Sequence, residues 1–104
     1  MNTPTDYEFD WDDDKAAANL RKHGVEFLEA MTVLADPLAM TFYDAQHSDD
    51  EERWVSVGRS AGGALLLVIH TFFATGPSNA LVRIISARPA AKRERQQYEQ
   101  ESSD

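Results

Sequence analysis

The stretch RIISARPAAKRERQQY, Arg83 to Tyr98, changes character halfway along, and that change decides the fold. Its first part is rich in β-branched residues and reads as a strand. Its second part is polar and cationic, and it reads as a short helix opened by Pro89, a residue suited to a first helical position. Between residues 83 and 95 the chain places Arg83, Arg88, Lys92, Arg93 and Arg95 against the single acid Glu94. That is a net charge of +4 within a protein whose formal net charge is −8. Guanidinium groups meet phosphate oxygens through paired hydrogen bonds, so such a cluster suits a phosphate-binding face. A solvated helix face is the alternative.

Working outward, Leu81 to Ala87 is the strand of this stretch, preceded by a loose connection from Ala74 to Asn79 that contains Gly76 and Pro77. Ala64–Phe72 and Arg53–Arg59 are strands joined through Ser60-Ala61-Gly62-Gly63, whose paired glycines suit a tight hairpin. Ala39 to Tyr43 is another strand, followed by a polar loop from Asp44 to Glu51. Near the N-terminus, Tyr7 to Trp11 alternates as a short strand. Asp12 is a good N-cap, Asp13 and Asp14 suit the first turn of a helix, and Gly24 is the expected stop after His23. Ala16, Ala17 and Leu20 make a narrow apolar stripe on this helix, while Lys15, Asn19 and Lys22 share another face. A second helix is expected from about Phe27 to Ala35, before Pro37, burying Phe27, Met31 and Leu34. The pattern predicts one α+β domain: a twisted antiparallel sheet with two N-terminal helices and one C-terminal helix. Residues 1–5 and 101–104 read as disordered tails.

Composition narrows the possibilities. A chain of 104 residues has room for one hydrophobic core. It has no cysteine, so disulfides and thiolate metal sites are excluded. No signal peptide is visible, and the longest apolar run, Ala64 to Ile69, is far too short to span a bilayer, so a cytoplasmic protein without membrane contact is expected. Residues 1–52 carry 14 acidic and 3 basic side chains, a net −11; residues 53–104 carry 7 basic and 4 acidic, a net +3. The acidic half repels a polyanion at long range, and the basic half attracts it locally. There is no Gly-rich phosphate loop, no H-x-x-x-H pair and no nucleophile elbow, so no cofactor or metal is expected. His47 beside Asp49 and Asp50 is a loop cluster that nothing arranges for metal binding.

A series of local signatures occurs in order along the chain: Phe9-Asp10-Trp11-Asp12, Lys15 and Asn19, Lys22-His23-Gly24-Val25, and Phe27-x-Glu29-Ala30. Glu52-Arg53, Val57-Gly58, His70-Thr71 and the Arg83–Arg88 block follow. In this order and spacing the chain resembles the BrnT family, the toxin half of a type II toxin–antitoxin pair, over about residues 7 to 100. The resemblance implies a RelE-like ribonuclease fold, a metal-independent endoribonuclease that blocks translation by cutting RNA, and a BrnA-type antitoxin that holds it inactive, in a two-plus-two complex. It equally accommodates a chain of weak or lost catalytic power that acts with its antitoxin as a corepressor.

RNA cleavage without a metal needs a base for the ribose 2′-hydroxyl, an acid for the leaving 5′-oxygen, and cations around the transition state. Arg83, Arg88, Lys22 and Arg53 are the expected cations, converging on one face. Each has a structural alternative. Arg83 would pair with an acid of the first helix or with Glu51-Glu52, Arg88 would be a solvated junction residue, and Lys22 and His23 would serve the helix dipole. Arg53 would form an edge ion pair. His70 is the candidate titrating near neutral pH, and a hydrogen-bonded core histidine is the alternative. Tyr98, Trp54 and Tyr43 are aromatic stacking surfaces or packing groups. The antitoxin is expected to cover the arginine face, and the acidity of the chain argues against DNA binding without it.

Overall fold

The protein is described here by a computed structural model covering residues 6–45 and 51–102; the His47–Asp49–Asp50 cluster and most of the expected tails lie outside that range. In chain order the described elements are β1 (Asp6–Asp10), α1 (Asp13–His23), α2 (Phe27–Ala30), a 3-10 turn (Met31–Ala35), β2 (Met40–Tyr43), β3 (Arg53–Arg59), β4 (Leu65–Thr71), β5 (Phe73–Gly76), β6 (Asn79–Pro89) and α3 (Lys92–Ser102). The sheet runs β1-β6-β4-β3-β2, with β5 also paired to β6. The α+β class is the one expected, and the sheet is mixed rather than wholly antiparallel. β1 lies parallel to β6, with Asp6 opposite Asn79 and Asp10 opposite Arg83. A parallel neighbour requires a long crossover, and the whole chain between these strands supplies it.

Three further differences from the pattern have local causes. The segment expected to be a loose connection contains β5, because Gly76 and Pro77 turn the chain tightly enough for Phe73 and Ala74 to pair with Leu81 and Ala80. The second helix tightens into a 3-10 turn after Ala30, so Ala30 and Val33, each 0% exposed, are buried more deeply than Met31 and Leu34. Pro89 closes β6 instead of opening α3, which starts at Lys92 and continues through Ser102, into the stretch expected as a tail.

Where one core was expected, each face of the sheet carries its own. On the first face, Leu66 and Val68 of β4 and Val82, Ile84 and Ala87 of β6 pack with Val25, Phe27, Ala30 and Val33. On the second face, Val57, Leu65 and Leu67 pack with Tyr98 of α3. Tyr98 anchors its helix by donating to Asp36 at 2.7 Å. Asp36 also accepts from the backbone of Arg59 and Leu38. Burial pushes the Asp36 carboxyl upward, but these three hydrogen bonds outweigh it and hold the group below its ordinary value. Gly58 permits this close approach, since a Cβ there would meet Ala39 and Asp36 at 3.0 Å.

α1 begins and ends as its sequence dictates. Asp12 accepts from the backbone N–H of Lys15 at 3.0 Å, and Gly24 turns left-handed at φ 71. Of the expected apolar stripe only Ala16 packs against the core, while Ala17 is exposed and Leu20 remains 47% exposed. The buried residue is Asn19, whose amide donates to Ala87 O (2.8 Å) and Val25 O (3.0 Å) and accepts from Ala87 N (3.1 Å). β1 pairs with β6 only as far as Arg83, so the edge beyond it would otherwise bury unpaired backbone groups. The carboxamide stands in for a neighbouring strand. Asn19→Ala should therefore cost about 2–4 kcal/mol, because it orphans both backbone groups of Ala87. Urea unfolding measures the loss, and hydrogen exchange should show Ala87 among the amides that lose most protection.

Candidate nucleic-acid interface

The register of β6 decides which arginines share a face. Along β4, Ile69 pairs with Ser86 while His70 pairs with Ile84, so Ile85 is an extra residue on β6. A bulge of this kind shifts the alternation by one. Arg83 and Arg88 would point to opposite faces of a regular strand, and the bulge returns them to the same one. Arg88 lies opposite Leu67 of the second core, and Arg83 sits between Val82 and Ile84 of the first core, pointing away from them. Arg53 joins this second face, since it alternates with Val55 and Val57 and lies opposite Thr71.

The result is a row across four strands: Arg53 of β3, Thr71 of β4, Arg83 of β6 and Asp10 of β1. The Arg83 backbone N–H donates to the Thr71 hydroxyl at 3.1 Å, which ties the centre of the row. With strands about 4.8 Å apart, the Arg53 and Arg83 backbones stand about 10 Å from each other. α3 covers the part of this face around Leu67 and leaves the row open, with the Arg83 side chain 54% exposed.

The arginines are not equivalent. Arg83 forks onto Asp10, with Nε to Oδ1 at 3.2 Å and Nη2 to Oδ2 at 3.5 Å. The partner is thus in β1, not in α1 or at Glu51-Glu52. The hydrogen bond and charge of Asp10 hold the guanidinium firmly protonated. Arg88 makes a shorter fork to Glu94, at 2.9 and 2.8 Å, and Glu94 also accepts from the backbone N–H of Ala91 at 2.7 Å. Glu94 thereby caps α3 and clamps its first turn to the end of β6. Through this fork Glu94 raises the pKa of Arg88 and Arg88 lowers that of Glu94. Arg88 is therefore a structural clamp as well as part of the basic face, rather than a solvated junction residue.

Two of the expected residues do not join the row. Lys22 is exposed on α1, whose Ala16 packs into the core on the first face, so it belongs to the layer on the other side of the sheet from Arg83. Of the four expected cations, Arg53, Arg83 and Arg88 share the second face, and of these Arg53 and Arg83 stand in the row. His70 also faces the first core and is 1% exposed. Its Nδ1 donates to Thr71 O at 2.9 Å, so Nε2 accepts from the Ser56 hydroxyl at 2.8 Å, and Ser56 contacts Thr41 Oγ1 at 2.9 Å. It is the satisfied core histidine of the two alternatives. Trp54 and Tyr43, in edge-to-face contact at 5.3 Å, share that first face with His70. Reading by residue type overlooked Phe73, on the second face beside Arg83 and 67% exposed; the missing signal was the strand β5 itself. Among the described residues, no three histidine or carboxylate groups are placed to share a metal ion.

This fold, with arginines from β3 and β6 on one open sheet face, defines a small α+β protein with a basic surface on its sheet. The family model for BrnT, the ribonuclease toxin of type II toxin–antitoxin systems, matches residues 11–94, and the chain belongs to that family. The crystal structure of the ribonuclease toxin BrnT from Brucella abortus is similar at a TM-score of 0.57 and 26% identity, over 85% of this chain and 100% of that one. No curated protein matches the chain. No helix among the described residues is long and apolar enough to cross a membrane.

The buried histidine has a measurable consequence. Burial lowers the His70 pKa beneath its ordinary 6.5, and the bond to Thr71 offsets this only in part. The unfolded chain therefore takes up a proton near pH 6.5 that the folded chain resists. The contribution of His70 should be fully present above that pH and be lost as pH falls through the folded value. Urea midpoints measured from pH 8 to 5 should fall, and the fall should be shallower in His70→Gln.

Proposed function

We propose that this chain is a metal-independent endoribonuclease toxin that inhibits translation, with RNA laid across the second face of the sheet. The observation that carries the reading is the Arg53–Thr71–Arg83 row, which presents two guanidinium-bearing residues on the part of that face α3 leaves open. Arg83 binds and stabilises the scissile phosphate. Asp10 takes two of its N–H groups and fixes the plane of the fork, while the other donors of the guanidinium serve phosphate oxygens. Arg53 supplies a second cation to the same phosphate or its neighbour. Arg88 sets the first turn of α3 and extends the basic field toward Lys92. The cations offset the charge of the transition state. His70 is not the general base in this reading, being buried on the other face.

A BrnA-type antitoxin neutralises the toxin, in a two-plus-two assembly whose antitoxin half binds DNA. Family membership supports an antitoxin partner, and a net charge of −8 makes the chain alone a poor ligand for DNA. The corepressor reading, with weak or lost catalysis, draws on a specific feature: Arg83 and Arg88 both hold carboxylates, so an incoming phosphate competes with Asp10 and Glu94.

Cleavage of single-stranded RNA by the purified chain, in the presence of EDTA, separates the two readings. Arg83→Ala and Arg53→Ala should each lower the cleavage rate by roughly 10²–10³-fold with little change in unfolding midpoint. Arg88→Ala should in addition cost about 1 kcal/mol of stability, because the fork it breaks is only partly shielded from water. A parent chain that cleaves nothing, yet represses with its antitoxin, would favour the corepressor.

A further inference from the structure

A groove of about 500 Å³ opens on the second face where β4 passes into β5. Thr71, Phe73, Leu81 and Arg83 line it, with Glu51 and Glu52 also contributing to its wall. Phe73 lies directly opposite Leu81, so its ring stands on the same face as Arg83. At 67% it is the most exposed large apolar side chain among the described residues. Burying a phenylalanine stabilises a fold, and this one is left in water beside a guanidinium. Such a pairing gives a nucleotide both things it needs: a flat apolar face for the base and a cation for the phosphate.

The carboxylates narrow the choice of base. Glu51 and Glu52 are both exposed, and Glu51 is close enough to contribute to the charge environment of Arg83. Ionised carboxylates only accept hydrogen bonds, so they repel phosphate and select a base edge that donates. Guanine offers two adjacent donors on its Watson–Crick edge, N1–H and the 2-amino group, which a carboxylate accepts as a pair. Adenine and cytosine each set one amino group beside a ring acceptor, and uracil sets one N–H between two carbonyls. We propose that this groove is a guanine subsite, in which the base stacks on Phe73, its donor edge meets Glu51 or Glu52, and the attached phosphate reaches Arg83. The proposal rests on the reading of this face as the RNA-binding surface and adds to it a base preference.

Two measurements keep the subsite and the nuclease reading apart. The first is binding of a non-cleavable 2′-O-methyl dinucleotide, GpA against ApA, to the full chain. The parent should prefer GpA on the order of tenfold; Phe73→Ala should weaken binding of both by about tenfold, and Phe73→Tyr should restore it. Glu51→Gln with Glu52→Gln should erase the preference for GpA while leaving ApA bound as before or more tightly. The second is cleavage of short RNAs that differ at one nucleotide, where Phe73→Ala should raise KM far more than it lowers kcat. Guanine-selective, Phe73-dependent binding by a chain that cleaves nothing would leave the subsite standing and remove the nuclease reading. Equal binding of the two dinucleotides by the parent, or unchanged binding by Phe73→Ala, would overturn the subsite even if RNA is cleaved. A Phe73→Ala chain that binds RNA normally but no longer forms its complex with the antitoxin would assign the ring to a protein partner and overturn it as well.

Discussion

The outer edge of β6 is the constraint on which the arrangement depends. This strand pairs with β1 over its first half and with β4 over its second, so each half has one side that another element must satisfy. β5 supplies the missing partner to the first half. Asn19 supplies it to the second, by matching the donor and acceptor of Ala87 with its own amide. That choice draws α1 against the strand edge and leaves its leucine outside. A helix normally docks through apolar contact, whereas here a buried amide sets its register. The geometry is demanding because any rotation of α1 would strand polar groups away from water.

The bulge at Ile85 does comparable work for the site. Without the extra residue, the alternation set by Val82 and Ile84 would carry Arg88 into the first core, where a guanidinium without a partner would be costly. With it, Ala87 fills the core and Arg88 reaches Glu94. One irregularity thus keeps the first core apolar, secures α3 and aligns the basic side chains. The carboxylates Asp10 and Glu94 temper the field of those cations and hold them in place, which fits a toxin whose overall charge is opposite to that of a basic nuclease.

Much of the fold was legible from local chemistry. Asp12 and Gly24 bracket α1, the β3–β4 hairpin turns where Ser60 to Gly63 says it should, and β3 spans the residues expected. Tyr98 anchors its helix instead of offering itself to a base. Among the residues expected at the site, Arg53, Arg83 and Arg88 share one face, while Lys22 and His70 lie on the other side of the sheet. Their placement was not legible for a shared reason: a side chain's type and position along its element do not reveal which face of the sheet receives it. Phe73 escaped notice because Gly76 and Pro77 announce a turn, and the turn obscured the short strand leading into it.

The sequence by itself determined most of the elements, the caps of α1 and the β3–β4 turn, the α+β class, the charge division and, through the order of its signatures, the family. Each of these depends on residues within a few positions of one another, or on simple counting. Only the tertiary structure decided that β1 runs parallel to β6, that Asn19 rather than Leu20 is the inward residue of α1, and that Arg88 is held by Glu94. It alone placed His70 behind the sheet and Arg83 before it. These outcomes turn on strand register, in which one added residue exchanges the two faces, and register is settled by the simultaneous packing of both cores and not by any local stretch of chain.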